Sequence, residues 1–111
     1  MRMYVIDELL PEDVERLEKS LTRKKMAGTL DRFYWLPLPE DLLSEEQKKH
    51  IQECGPYGFG LECEDRKLTL ELLVRGRGKL RCSCIGYANP DQRKHVIEFL
   101  DHLLRELDVF V

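Results

Sequence analysis

The chain has 111 residues, 42% hydrophobic and 35% charged, and its 18 lysines and arginines against 21 aspartates and glutamates leave a net charge of −3. That length fits one domain, residues 1–111, able to bury about two-thirds of its unfolded surface without disulfides, and the composition excludes a disordered chain. No stretch approaches the roughly 18 consecutive apolar residues of a membrane span, and acids follow Met1-Arg-Met-Tyr-Val-Ile6 before any run of signal-peptide length, so a cytoplasmic protein with no membrane partner is expected.

In chain order, Met3–Ile6 reads either as a short strand or as an N-terminal arm. Pro11 suits a first helical turn, Glu12 and Asp13 favour the positive end of the helix dipole, and Arg23, Lys24 and Lys25 favour the negative end. A helix over 11–25 is therefore predicted, with a narrow apolar stripe of Val14, Leu17 and Leu21 and a stop at Gly28. Residues 32–38 look like a strand, but Pro37 has no N–H for a ladder and so makes it an edge strand. Ser44 and Gln47 have capping-box spacing inside a second helix over 42–54, which Gly55-Pro56 ends. A helical crossover to the next strand would allow strand 32–38 a parallel place in the sheet.

Residues 59–64, 68–74 and 80–85 each alternate large apolar residues with period two, the pattern of a half-buried strand. Joined by turns at 65–66 and 76–78, they predict an antiparallel three-stranded meander. The first turn sets Cys63 opposite Leu68, Leu61 opposite Leu70 and Phe59 opposite Leu72. The second sets Leu72 opposite Cys82 and Leu70 opposite Cys84, so both registers turn the same face inward. The other face carries Glu62, Thr69, Glu71, Leu73, Arg81, Ser83 and Ile85, which suits a sheet covered on one side. Asn89-Pro90-Asp91 is a strong helix start, and over 90–107 it places Val96, Ile97, Leu100, Leu103, Leu104 and Leu107 within an arc of roughly 120°. The expected fold is α+β: the meander, the edge strand and three helices packed mainly on one face.

Four cysteines, Cys54, Cys63, Cys82 and Cys84, raise disulfide and zinc readings. On the predicted register Cys63 and Cys84 stand about 9.5 Å apart or more across two strand spacings, beyond the ~7 Å limit for a bridge. Cys82 and Cys84 share a face about 6–7 Å apart along one strand, but a zinc site there needs two further ligands over the same face. The cysteines are accordingly read as reduced, buried small hydrophobes, with no metal and no cofactor assigned. Cys54-Gly55-Pro56-Tyr57 shares three of four residues with the Cys-Gly-Pro-Cys of thioredoxins, but Cys54 ends a helix, where the dipole opposes a thiolate.

His50, His95 and His102 stand in no recognised spacing with an acid or a nucleophile, and the glycines at 55, 58, 60, 76 and 78 form no phosphate loop. No catalytic residue is assigned and an enzyme is not expected. The first functional expectation is a non-enzymatic protein-protein interaction or adaptor module, with a homodimer as one form, using Leu73 and Ile85 or the edge residues Phe33 and Trp35. The second is nucleic-acid binding. Between Arg66 and Arg81 six bases face one acid, and Arg75, Arg77, Lys79 and Arg81 make a basic hairpin tip. In the stretch 23–35, Arg23, Lys24, Lys25 and Arg32 precede the aromatic residues 33–35.

Overall fold

The computed structural model describes residues 2–79 and 81–110. Its elements are β1 (Met3–Ile6), α1 (Pro11–Arg23), β2 (Phe33–Pro37), a single 3₁₀ turn (Glu40–Leu42), α2 (Glu45–Lys49), α3 (Ile51–Cys54), β3 (Tyr57–Glu64), β4 (Lys67–Glu71), β5 (Leu73–Gly76), β6 (Gly86–Tyr87) and α4 (Pro90–Glu106). The α+β class is the expected one. Met3–Ile6 is a strand, and the helix predicted over 42–54 is instead a 3₁₀ turn followed by two short helices meeting at His50.

β3 is the axis of the sheet. β2 lies antiparallel along one side of it, which replaces the parallel option, while β4 and β5 follow each other along the other side. The turn at Asp65-Arg66 gives the predicted register, Leu61 opposite Leu70 and Cys63 opposite Leu68. Farther along, Gly58 pairs with Arg75, so three steps on β3 span five steps on its partner. The two extra residues form a bulge around Leu72. The N–H of Leu72 donates to Arg2 O at 3.0 Å and its carbonyl accepts from Ala88 N at 2.9 Å. The bulge thereby takes hold of both outer strands, β1 beside β4 and β6 beside β5. An even insertion keeps the alternation of faces, which is why Leu68, Leu70 and Val74 are all buried although the predicted pairing of Phe59 with Leu72 is displaced.

The third predicted strand, 80–85, is a correction. Leu80 lies outside the described residues, Cys82 to Ile85 form a turn closed by Ile85 N donating to Cys82 O at 3.1 Å, and the strand that pairs with β5 is only Gly86–Tyr87. Leu73 faces Tyr87 and Val74 faces Gly86, so Cys82 and Cys84 are opposite neither Leu72 nor Leu70. The cause lies in 76–78. A Cβ on Gly76 would come within 2.4 Å of Cys54 O, and one on Gly78 within 2.4 Å of Glu53 O. The glycines let this segment press against the end of α3, where Gly78 N donates to Cys54 O at 2.8 Å and Arg77 N to Pro56 O at 2.9 Å. Those bonds replace a hairpin ladder.

One face of the sheet is covered. Its inward rows, such as Tyr34, Leu61, Leu70 and the half-buried Tyr4, meet Val14, Leu17 and Leu21 of α1 and Val96, Leu100, Leu103 and Leu104 of α4 in a single core. The free edge of β2 is strapped by 26–28, with Trp35 N donating to Met26 O at 2.7 Å and Gly28 N to Phe33 O at 2.8 Å. Both predicted N-caps form full capping boxes, Ser44 with Gln47 and Asn89 with Gln92. Val109 is buried after α4, whereas Phe110 is exposed.

Candidate functional site

Among the described residues, two places gather groups that the core does not explain. The first is the uncovered face of the sheet. Phe33 and Trp35, two residues apart on β2, both point there and meet edge to face, with ring centroids 5.3 Å apart. Phe33 lies over Gly60, where a Cβ would stand only 2.7 Å from the ring, so the glycine makes the bed for the aromatic ring. A groove of about 360 Å³ runs along this face, lined by Met3, Leu30, Phe33, Trp35, Glu62 and Arg75 among others. Met3 and Leu30 are exposed on it. Leu73 shares the face and stands opposite the exposed Tyr87. Ile85 does not join them as expected: it belongs to the turn after Cys84 and packs, half-buried, against the core.

Of the predicted basic residues, Arg75 is bound to Glu71 at 2.7 Å and Lys79 to Glu53 at 3.0 Å. The guanidinium of Arg77 lies over the Trp35 ring, 5.6 Å from its centroid, and Arg81 is exposed. A smaller groove of about 210 Å³ is lined by Lys24, Lys25, Trp35 and Arg77. Lys24 and Lys25 of one basic cluster and Arg77 of the other, remote in sequence, thus line one groove with Trp35, while Arg32 is turned away into pairs with Glu18 and Asp65.

The second place is where α3 meets the turn before β6. His50 and Cys54 are four residues apart across α3, with Cys54 N donating to His50 O at 2.8 Å, so their side chains stand on one helical face. The turn at Cys82 and Cys84 presents both thiols to the same point. One ligating atom from each of His50, Cys54, Cys82 and Cys84 lies within 4.8 Å of every other. Cys82 Sγ is 3.1 Å from His50 Nδ1. Cys54 and Cys84 are buried; His50 and Cys82 are half-buried. The Tyr57 hydroxyl lies 3.3 Å from Cys84 Sγ and 3.0 Å from Gln47 O, and Gln47 Nε2 donates to Cys84 O at 3.3 Å.

The thiols of this cluster are electrically unequal. A backbone hydrogen bond at Cys84, the Cys84 side chain and then Cys54 and His50 bring the Cys82 thiol down to about 6. Burial, and then the neighbouring thiols Cys82 and Cys84, push Cys54 up to about 12. Cys63 differs from all three, since it sits in an inward row of β3 opposite Leu68 and is a core residue as expected. The sequence gives one sign of the second pair of donors, the four-residue spacing of His50 and Cys54 on a helix, and no sign that the turn at 82–85 lies beside it.

No protein-family description, curated protein or solved structure matches this chain.

Proposed function

We propose that the chain is a non-enzymatic interaction module that binds a protein partner through the uncovered face of its sheet around Phe33, Trp35 and Leu73. The observation that carries the reading is the edge-to-face pair Phe33–Trp35, held on the solvent side of the sheet beside a groove that also exposes Met3 and Leu30. Large aromatic side chains in such a place serve as anchors for a partner, because their burial on contact is strongly favourable and they lose little rotamer freedom. A second copy of the chain is the first partner to test, by light scattering across a concentration series. A dimer that falls apart in Trp35→Glu and Leu73→Glu but persists in Leu10→Glu, on another exposed apolar residue, supports self-association through this face. A monomer at every concentration discards it.

Nucleic-acid binding is the second reading, favoured by Lys24, Lys25 and Arg77 around Trp35. Bases beside an exposed aromatic ring are the usual means of holding a single strand. Binding of a single-stranded oligonucleotide at low salt that weakens in Arg77→Ala would move the assignment to this reading. No binding would remove it.

A further inference from the structure

We propose that His50, Cys54, Cys82 and Cys84 are the ligands of a structural zinc ion, which fastens α3 to the chain entering β6. Donor type, number and spacing all agree. Three thiols and an imidazole are a common structural zinc set, and four protein ligands fill a tetrahedral sphere with no position left for water or substrate. With zinc–sulfur bonds of ~2.3 Å the sulfurs of such a tetrahedron stand about 3.8 Å apart. The four donor atoms already lie within 4.8 Å of one another, so an ion enters with only small side-chain shifts. Soft thiolates in a tetrahedral set select zinc over calcium or magnesium, which take oxygen ligands.

The surroundings fit the same role. Zinc with three thiolates and a neutral imidazole carries a net charge of about −1. The Tyr57 hydroxyl is placed to donate to Cys84 Sγ at 3.3 Å, and Gln47 Nε2 donates to the carbonyl of the same residue at 3.3 Å. Such outer partners orient ligands and spread the charge of a thiolate-rich centre. The backbone serves it too. Gly76 and Gly78 allow the strand end to lie on the carbonyls of Cys54 and Glu53, which brings the following segment to the helix. Cys63 supplies the internal contrast: the same residue type packs singly among apolar neighbours, whereas the other three converge with a histidine.

The test uses the full chain purified under reducing conditions without chelator. Elemental analysis is expected to find close to one zinc per chain, falling to a tenth or less in Cys84→Ser and His50→Ala and staying near one in Cys63→Ser. Since a ligand variant can fail to fold, the wild-type chain is also stripped of metal and titrated with cobalt(II). Thiolate-to-cobalt charge transfer and intense visible bands of tetrahedral cobalt, saturating at one equivalent and displaced by zinc, are expected. A folded chain that takes up neither ion overturns the proposal. So does a disulfide among Cys54, Cys82 and Cys84 in the native protein, or rapid alkylation of Cys82 undiminished by added zinc. The outcome is independent of whether the sheet face binds a partner.

Discussion

Gln92 donates from Nε2 to Oε1 of Gln47 at 3.0 Å, and each of these glutamines is also the third residue of its own helix and closes a capping box there. The same Gln92 amide donates to Leu42 O at 2.9 Å, while Gln47 reaches the carbonyl of Cys84. Two helix starts and the cysteine turn are therefore joined by one buried amide pair, in which every polar atom has a partner.

Gln92→Ala removes the acceptor of the Asn89 N–H, half of that capping box, and leaves the half-buried carbonyl of Leu42 without its donor, while Gln47 Oε1 keeps Ser44 N at 2.9 Å. Leaving such a group without its partner costs about 1–3 kcal/mol, so a loss of roughly 1–3 kcal/mol is expected in urea unfolding. Gln52→Ala, at an exposed position, should stay within about 0.5 kcal/mol. Equal losses in both variants would refute the role given to the amide pair.

Glycines 76 and 86 should respond unequally to the same change. A Cβ on Gly76 meets Cys54 O at 2.4 Å, whereas one on Gly86 meets nothing within 4 Å. Gly76→Ala is expected to destabilise by about 2 kcal/mol or more, since backbone has to move, and Gly86→Ala to remain within about 0.5 kcal/mol. Thermal unfolding of the two variants side by side checks this, and similar midpoints would contradict the packing of 76–78 on α3.

Alkaline pH should weaken the fold by a route that includes Cys63. Burial, and then the charge of Glu18, push its thiol up to about 12, while an unfolded thiol ionises near ~8.5. Between those values the unfolded chain releases a proton that the native chain keeps, so stability is level below about pH 8.5 and falls as pH rises toward about 12. Burial and Glu18 raise Tyr34 to about 12 as well, which acts in the same direction. Urea midpoints at about pH 8 and about pH 10.5 should show a decline that is shallower in Cys63→Ala. Parallel declines would exclude a contribution from Cys63.

Trp35 is the one tryptophan of the chain, and it stands half-exposed on the proposed contact face. Engagement of that face should shift its emission to the blue and reduce quenching by acrylamide, with Phe33→Ala weakening the association by about tenfold or more, as for an anchor worth above roughly 1.4 kcal/mol. Unchanged emission on saturation with a partner would place the contact elsewhere.

Much of the fold is legible because local signals and global packing agree. Asn89-Pro90-Asp91 starts α4, Pro37 ends β2, and the turn at 65–66 sets Leu61 against Leu70. The bulge at Leu72 leaves no trace, since an insertion of two residues preserves the alternation from which register is inferred. The error over 80–85 has a chemical origin. Cys82 and Cys84 alternate with polar residues as a strand would, but a turn that aims two side chains at one point produces the same pattern. That point is completed by His50, whose partner Cys82 lies 32 residues away, a separation no short motif spans. The same alternation assigns Ile85 to the open face, whereas the turn packs it against the core.

The strap formed by 26–28 also bears on self-assembly of an undesirable kind. β2 carries the most aromatic run in the chain, and an unguarded strand of that composition would template the addition of further strands. With its outer edge already bonded to Met26 and Gly28, recruitment of β2 into a fibril has to wait for the strap to unfasten. Aggregation through this strand should therefore be gated by a local opening event, and stiffening the strap should lengthen the lag without changing the stability of the mature aggregate.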